Sequence, residues 1–466
     1  MCCRIHRCVE RAVWQVRDGN AEMARLTGLR TAMALLLSGW LLLAPARALA
    51  QPVPPTPRQL TVFDGLPSNT VNRMAEDRLG YLWIATNDGL ARYEGPSYRI
   101  WRAEDGLRDD RIWTVLADAR NQLWIGTENA GLVRLSADRR QMHFYDRASQ
   151  PLLASNTVWS IASTPDGSIW FGTYEGGLYR LDAQDRLQRF LPEPGNPRSL
   201  PSNSVPFLAT LPDGTLWVGT KRGLARWTGT DFERAPDALP ADAVINGMTA
   251  DADGSLWINT LGSVIVRRAD GRFEPAPWPV PDNDQVLGVM LHDEQGGYWL
   301  DTRSGLGRGV DGRYQQVPLY SALARGRVRP NWTGAFQDRE GGIWLASTNA
   351  GLWHLLPRWW QFSVLARLED EPSSLRNAYV LGAAASHAGG VWAVGGHGGL
   401  GKLGPGTGEV QQHLTWVNGN HWLMSVAEDA RGRVWIGSMD ALQRYDPASR
   451  QLLRWGTDAG KDAVME

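Results

Sequence analysis

The residues able to do chemistry are few. All three cysteines, Cys2, Cys3 and Cys8, precede an apolar leader segment, so a mature chain would hold no thiol for catalysis, disulfides or zinc. The eight histidines (His6, His143, His292, His354, His387, His397, His413 and His421) share no metal-ligand spacing, and no glycine-rich phosphate loop joins a strand to a helix. The reading therefore has no catalytic residue, no metal and no cofactor. What remains is a binding constellation: Trp113 and Trp159, with Asn72 and Arg111 nearby, joined by Asn246 and Trp332. Indole faces stack on a sugar or another flat polar molecule, and Asn and Arg supply directional hydrogen bonds. The expected partner is a small ligand or glycan.

These residues are set in a repeat. A tryptophan returns every 40 to 48 residues within one phrase, at Trp83, Trp124, Trp170, Trp217, Trp257, Trp299, Trp344, Trp392 and Trp435. The residue before it is apolar in every copy, and the third residue after it is Thr or Ser except at Gly395. A supersecondary unit repeated at this period must be read as an array. Within each copy, a strand such as 70–76, a turn of the D-x-x-G type, the L-W-I-G-T strand, a Gly turn, a third strand such as 177–181 and a fourth such as 97–101 or 142–145 make a four-stranded antiparallel blade. The pattern predicts an all-β protein: a seven-bladed β-propeller over 58–362, followed by about two blades of a second, incomplete propeller over 363–466. Residues 60–63 are expected to complete the sheet of the last blade of the closed ring.

The nine tryptophans read as wedges between neighbouring sheets. Asp77, Asp118, Asp251, Asp293, Asp338 and Asp429, six residues before them, read as turn formers rather than metal ligands. Function is sought in what varies. Eleven residues before each Trp, near the start of the innermost strand, stand Asn72, Trp113, Trp159, Pro206, Asn246, Gly288 and Thr333. A repeat position that does not keep its residue type is expected to face the central funnel. The basic run Arg325, Arg327 and Arg329 is a further candidate for an anionic ligand.

Bulk charge excludes some partners. A formal net charge of −1, with charged residues at 21%, argues against nucleic acid. At the amino terminus, six arginines (Arg4, Arg7, Arg11, Arg17, Arg25 and Arg30) precede an apolar run over 32–44, which ends in Ala48-Leu49-Ala50. The run is shorter than the about 20 residues a spanning helix needs, and the order is that of a signal peptide. Residues 1–50 are read as leader and signal peptide and 51–57 as a proline-rich spacer, with Met23 as an alternative start and an uncleaved anchor as the alternative fate. The expected location is the periplasm.

The phrases VFDGLPSNTVNRMAEDRLGYLWIATNDGLARY (62–93) and SNTVWSIASTPDGSIWFGTYEGGLYRL (155–181) resemble two-component regulator propeller repeats. The resemblance covers about 58–458. It implies the periplasmic, ligand-binding sensor region of a bacterial transmembrane signalling protein, with a histidine kinase or diguanylate cyclase output and a homodimeric assembly. No kinase or cyclase motif and no further apolar span occurs before Glu466, so the output domain and any C-terminal membrane span are expected outside this chain, which is not itself read as an enzyme. The alternatives are a secreted protein- or glycan-binding scaffold and a propeller enzyme of the polysaccharide lyase type.

Overall fold

The computed structural model describes residues 57–456 except 96, 236–238, 241, 262, 277–284, 311–312, 322, 325, 360–374, 376–378, 397–398, 405–409 and 415–421. The leader with its three cysteines, most of the spacer, Arg325 and the boundary drawn at 362/363 lie outside the described residues. No helix among the described residues is long and apolar enough to cross a membrane.

The described chain is all β: nine four-stranded antiparallel sheets, two 3-10 turns and a short hairpin pairing Tyr320–Ser321 with Gly326–Arg327. The first sheet is typical, with strands Val71–Glu76, Leu82–Thr86, Gly89–Tyr93 and Tyr98–Trp101 in sequence order. Inner strands touch in the order Val71–Glu76, Ile112–Ala117, Val158–Ser163, Phe207–Thr210, Ile245–Ala250, Val286–His292, Trp332–Gln337 and back to Val71–Glu76. That closed circuit is the propeller. The eighth and ninth sheets pack on each other around buried Trp392, while Tyr379, Val380 and Leu381 on the eighth sheet's inner strand are exposed.

The circuit is clasped by the amino-terminal strand Arg58–Leu60, which pairs with the strand Leu352–Leu355, Arg58 opposite His354 and Leu60 opposite Leu352. This corrects the expected closing strand at 60–63. Val62–Asp64 is a 3-10 turn, because the Thr61 hydroxyl accepts from Phe63 N–H and Asp64 Oδ2 accepts from Thr61 N–H at 2.9 Å. Gly65 then takes a left-handed φ of 96°, which sends Leu66 into the core at 2% exposure. Ala103–Asp105, Gly106 and Leu107 repeat this arrangement, so the D-G-L phrase is a capped turn that drops a leucine between blades.

The tryptophans fill the wedges. Trp83 packs with Leu107, Ile112 and Ile125 of the next sheet, Trp299 with Ile343 and Leu345, and Trp344 closes the circuit against Val71, Leu82 and Ile84. Most are also held at an edge, a face or both. The indole N–H donates to Asp77 (2.9 Å), Asp118 (2.9 Å), Asp251 (2.8 Å), Asp293 (2.9 Å), Asp338 (2.7 Å) and Asp429 (3.0 Å), each six residues earlier. In five of these the other carboxylate oxygen accepts backbone N–H groups two and four residues on, as Asp293 Oδ1 does from Gln295 (3.0 Å) and Gly297 (2.8 Å). The aspartate is thus the turn former the sequence implied, and also the indole's acceptor. Across the strand, Arg92, Arg134, Arg180, Arg308 and Arg444 lie over their tryptophans, which explains the arginine of the G-L-x-R phrase. The Thr or Ser three residues after Trp staples the next turn, as Thr86 Oγ1 does to Gly89 O at 2.7 Å.

Three departures follow from single residues, the mildest in the third sheet, where Thr164 replaces the aspartate and its Oγ1 accepts the Trp170 indole N–H at 3.2 Å. Leu211 stands where the aspartate would, and Trp217 Nε1 is left buried without a hydrogen-bond partner among the described residues. Ser386 does so in the eighth sheet, and Trp392 donates instead to Glu428 of the ninth.

Two outcomes are expected. Trp299→Ala, at 0% exposure, should lose about 3–5 kcal/mol in urea denaturation. Burial works to raise the Asp77 carboxyl, but hydrogen bonds from Trp83, Arg139, Tyr81 N–H and Leu79 N–H outweigh it and hold it below its ordinary value of 3.8. A lowered carboxyl stabilises the fold above its ordinary value, and that contribution is lost as pH falls through the lower, folded one. Asp77→Asn should therefore be less stable than wild type at pH 7, the gap narrowing below about pH 4 in acid melting curves.

Candidate functional site

The inner strands do not run straight into the centre of the circuit. Pairing to the second strand skips a residue between Val71 and Arg73, Ile112 and Thr114, Val158 and Ser160, Ile245 and Gly247, Val286 and Gly288, and Trp332 and Gly334. Each skipped residue is a β-bulge, freed from the ladder and re-aimed by the local twist. They are Asn72, Trp113, Trp159, Asn246, Leu287 and Thr333, and in the fourth sheet Pro206 takes the place just before the strand. The variable position is therefore the bulge position. In the sixth sheet it is Leu287 rather than the expected Gly288, because a second irregularity between Val289 and Leu291 shifts the count by one.

These residues surround two contiguous cavities that share Arg73, Pro206, Phe207, Asn246 and Thr333. The larger, about 560 Å³, extends past Ser160, Asn259, Leu287, Asp301 and Trp332. The smaller, about 300 Å³, is bounded by Asn72, Trp113, Trp159, Lys221 and Thr348. Trp113 and Trp159 meet edge to face with ring centroids 6.5 Å apart, and Trp159 leans on Tyr174 at 4.9 Å. The Trp113 indole N–H is held by Glu128, so its orientation is set from outside the cavity.

Of the six residues nominated from sequence, Trp113, Trp159 and Asn246 line the smaller cavity with their side chains uncommitted toward it apart from that one bond. Asn72 lines it too, but its amide donates to Asn87 Oδ1 (3.0 Å) and to Ile112 O (2.7 Å), so it ties the first blade to the second. Trp332 lines the larger cavity, where its Nε1 is buried without a hydrogen-bond partner among the described residues. Arg111 is exposed and lines neither cavity. The basic run is committed elsewhere: Arg327 donates to Tyr320 Oη (2.7 Å) and Arg329 to Thr302 O (2.9 Å).

Three charged groups that line the two cavities, Arg73, Lys221 and Asp301, were not among the residues expected from sequence. Arg73 follows the first bulge, and its Nη1 donates to Asn72 O (2.9 Å) and Thr333 O (2.6 Å) while the guanidinium rests over the Phe207 ring. Thr333 Oγ1 donates in turn to Val71 O (2.7 Å), so the seventh and first blades are joined at the channel. Burial lowers the Arg73 guanidinium from its ordinary value. Asp301, on the second strand of the sixth sheet, has its carboxyl pushed up to about 6 by burial, against the pull of Arg329. A signal for Arg73 was present: it occupies the position held in other blades by Thr114, Ser160, Phe207 and Gly247, and it alone there is charged.

The model of the two-component regulator propeller family matches residues 65–88, 106–129 and 152–175, each running from a turn through a bulged inner strand to the turn beyond its tryptophan. No protein of curated function matches the chain. Among solved structures, the chain is similar to the extracellular domain of a hybrid two-component system from B. thetaiotaomicron, at 19% identity and a TM-score of 0.65 over 89% of this chain and 55% of that one. A second such domain from that organism matches at 21% identity and a TM-score of 0.53, over 86% and 53%. A streptogramin B lyase matches at 17% identity and a TM-score of 0.50, over 64% of this chain and 95% of that one. These likenesses concern the fold. The chain spans about half the length of the two extracellular domains.

The Asp301 carboxyl supplies the expected outcome here. A carboxyl raised in the folded state favours folding while protonated, and that contribution fades as pH climbs from its ordinary 3.8 through about 6. Asp301→Asn should melt with wild type near pH 4 and above it at pH 8; parallel melting curves across that range would contradict the burial.

Proposed function

From the two-component regulator propeller repeats that this chain carries, we propose that it is the exported, ligand-binding sensor region of a bacterial transmembrane signalling protein, with the ligand captured at the centre of the circuit between Trp113 and Trp159. The observation that carries this reading is the bulge ring. Positions that hold the fold repeat their residue type around the circuit, whereas the seven that line the cavities are of five types. The fold leaves these positions free to be shaped by a ligand, and an open, partly apolar recess with a few convergent polar groups is what small-molecule sites offer. The similarity to extracellular domains of hybrid two-component systems supports the sensor role, and the order of the leader segment supports export to the periplasm.

In this reading the ligand shifts the equilibrium between two arrangements of the sensor, in a homodimer of the full protein, by binding one of them more tightly. Output as kinase or cyclase belongs to the rest of that protein. The lyase likeness carries the fold alone and adds no catalytic assignment.

Trp113→Ala and Trp159→Ala should each weaken a ligand found by screening carbohydrate and small-molecule arrays by about tenfold, without lowering the melting temperature of the chain. Equal affinity for wild type and both variants would remove the site.

A further inference from the structure

We propose that the smaller central cavity takes a small monocarboxylate with an aromatic or branched apolar body, its carboxylate on Arg73 and Lys221 and its body between Trp113 and Trp159. This rests on the preceding reading of the cavity as a ligand site and names the ligand's chemistry.

Arg73 Nη1 is spent on two backbone carbonyls, whereas Nε and Nη2 have no protein partner among the described residues, and no carboxylate forms an ion pair with Arg73 there. Nε–H and Nη2–H lie parallel along one edge of the guanidinium, the edge that matches both oxygens of a carboxylate. A cation kept in a recess without a counter-charge costs free energy that a bound anion would offset. Lys221, on the same cavity, has no side-chain partner among the described residues and adds a second positive charge at the rim. The nearby negative groups are already engaged. Glu128 holds the Trp113 indole, and Asp301, in the larger cavity, faces the positive charge of Arg329.

The walls argue against other anions and against polyols. Besides the two cations, Asn246, Thr348 and the Trp159 indole N–H are the cavity's polar side-chain groups without an internal bond among the described residues, while the rings of Trp113, Trp159, Pro206 and Phe207 supply apolar surface. A sugar buried there would leave most hydroxyls unpaired, at a cost for each. A phosphate dianion would need more donors than one guanidinium edge and one exposed ammonium provide. One carboxylate on an apolar body satisfies what is offered.

The test is calorimetric titration of the whole chain with benzoate, phenylacetate and hexanoate, each paired with its primary amide. At least one acid should bind about tenfold more tightly than its amide at pH 7.5 and weaken as salt is added. Arg73→Met should abolish that advantage and Lys221→Met should cut it several-fold. Because Arg73 also bonds Thr333 O, Arg73→Lys is the companion variant, keeping charge but losing the bidentate edge; it should retain native near-ultraviolet dichroism and lose most of the advantage. If no acid outbinds its amide, or if Arg73→Lys and Lys221→Met both bind the acids as wild type does, the proposal is overturned. Amides that bind equally well but are lost in Trp113→Ala would overturn the carboxylate and keep the tryptophan site. Acids lost in the Arg73 variants but indifferent to Trp113→Ala and Trp159→Ala would overturn the tryptophan site and keep the arginine.

Discussion

The propeller depends on one carboxylate with two duties. An aspartate at the head of a turn accepts backbone N–H groups through one oxygen and the indole N–H of the blade tryptophan through the other, as Asp293 does for Gln295, Gly297 and Trp299. A wedge-filling indole has one polar atom, which would otherwise be buried unpaired; a turn has backbone donors that need an acceptor. The same side chain answers both, so the position of the turn and the orientation of the wedge are fixed together. With this double role filled in the first, second, sixth, seventh and ninth sheets, the angle between neighbouring blades is set locally, and a circuit can close with only a short amino-terminal strand as its clasp.

The inner strands keep their core side chains, Val71, Ile112, Val158 and Ile245, buried under the wedges while the residue after each is left outside the ladder. Each strand can afford a bulge, and the bulge hands one unpaired residue to the channel without disturbing the ladder beyond it. Arg73 and Thr333 show how the channel and the closure share groups: the bonds from Arg73 Nη1 to Thr333 O and from Thr333 Oγ1 to Val71 O join the last blade to the first at the point where a ligand would rest. On the proposed reading, a ligand on Arg73 would act on the seam of the ring.

Much of this was legible in the sequence, and the reasons are local. The strands follow from alternation and turn residues, so Leu82–Thr86 and Met142–Tyr145 fall where the pattern puts them. The wedge role of the tryptophans follows from their period. The indole's acceptor did not emerge, because a spacing of six residues has meaning only once the turn brings Asp77 back beneath Trp83. Leu287 was hidden by a second irregularity that no count from the tryptophan reveals, and the 3-10 turn at Val62–Asp64 by extended-looking residues whose conformation is set by the Thr61 and Asp64 side chains. At the site, Trp113 and Trp159 stood out as aromatic residues at a variable position, whereas Arg111, two residues from a bulge, points its chemistry away from the cavity's lining. A lone arginine in a strand is indistinguishable in sequence from one on a solvated face until neighbouring blades surround it, as they do Arg73.

The central claim is that the fold resides in the repeated positions and ligand capture in the bulge positions. Its most direct test is a crystal structure of the chain with the tightest-binding carboxylic acid of the series. The account predicts density between the Trp113 and Trp159 rings with a carboxylate against the free edge of Arg73. Density on the outer strands or in the grooves between blades, with the central cavity holding solvent alone, would contradict it.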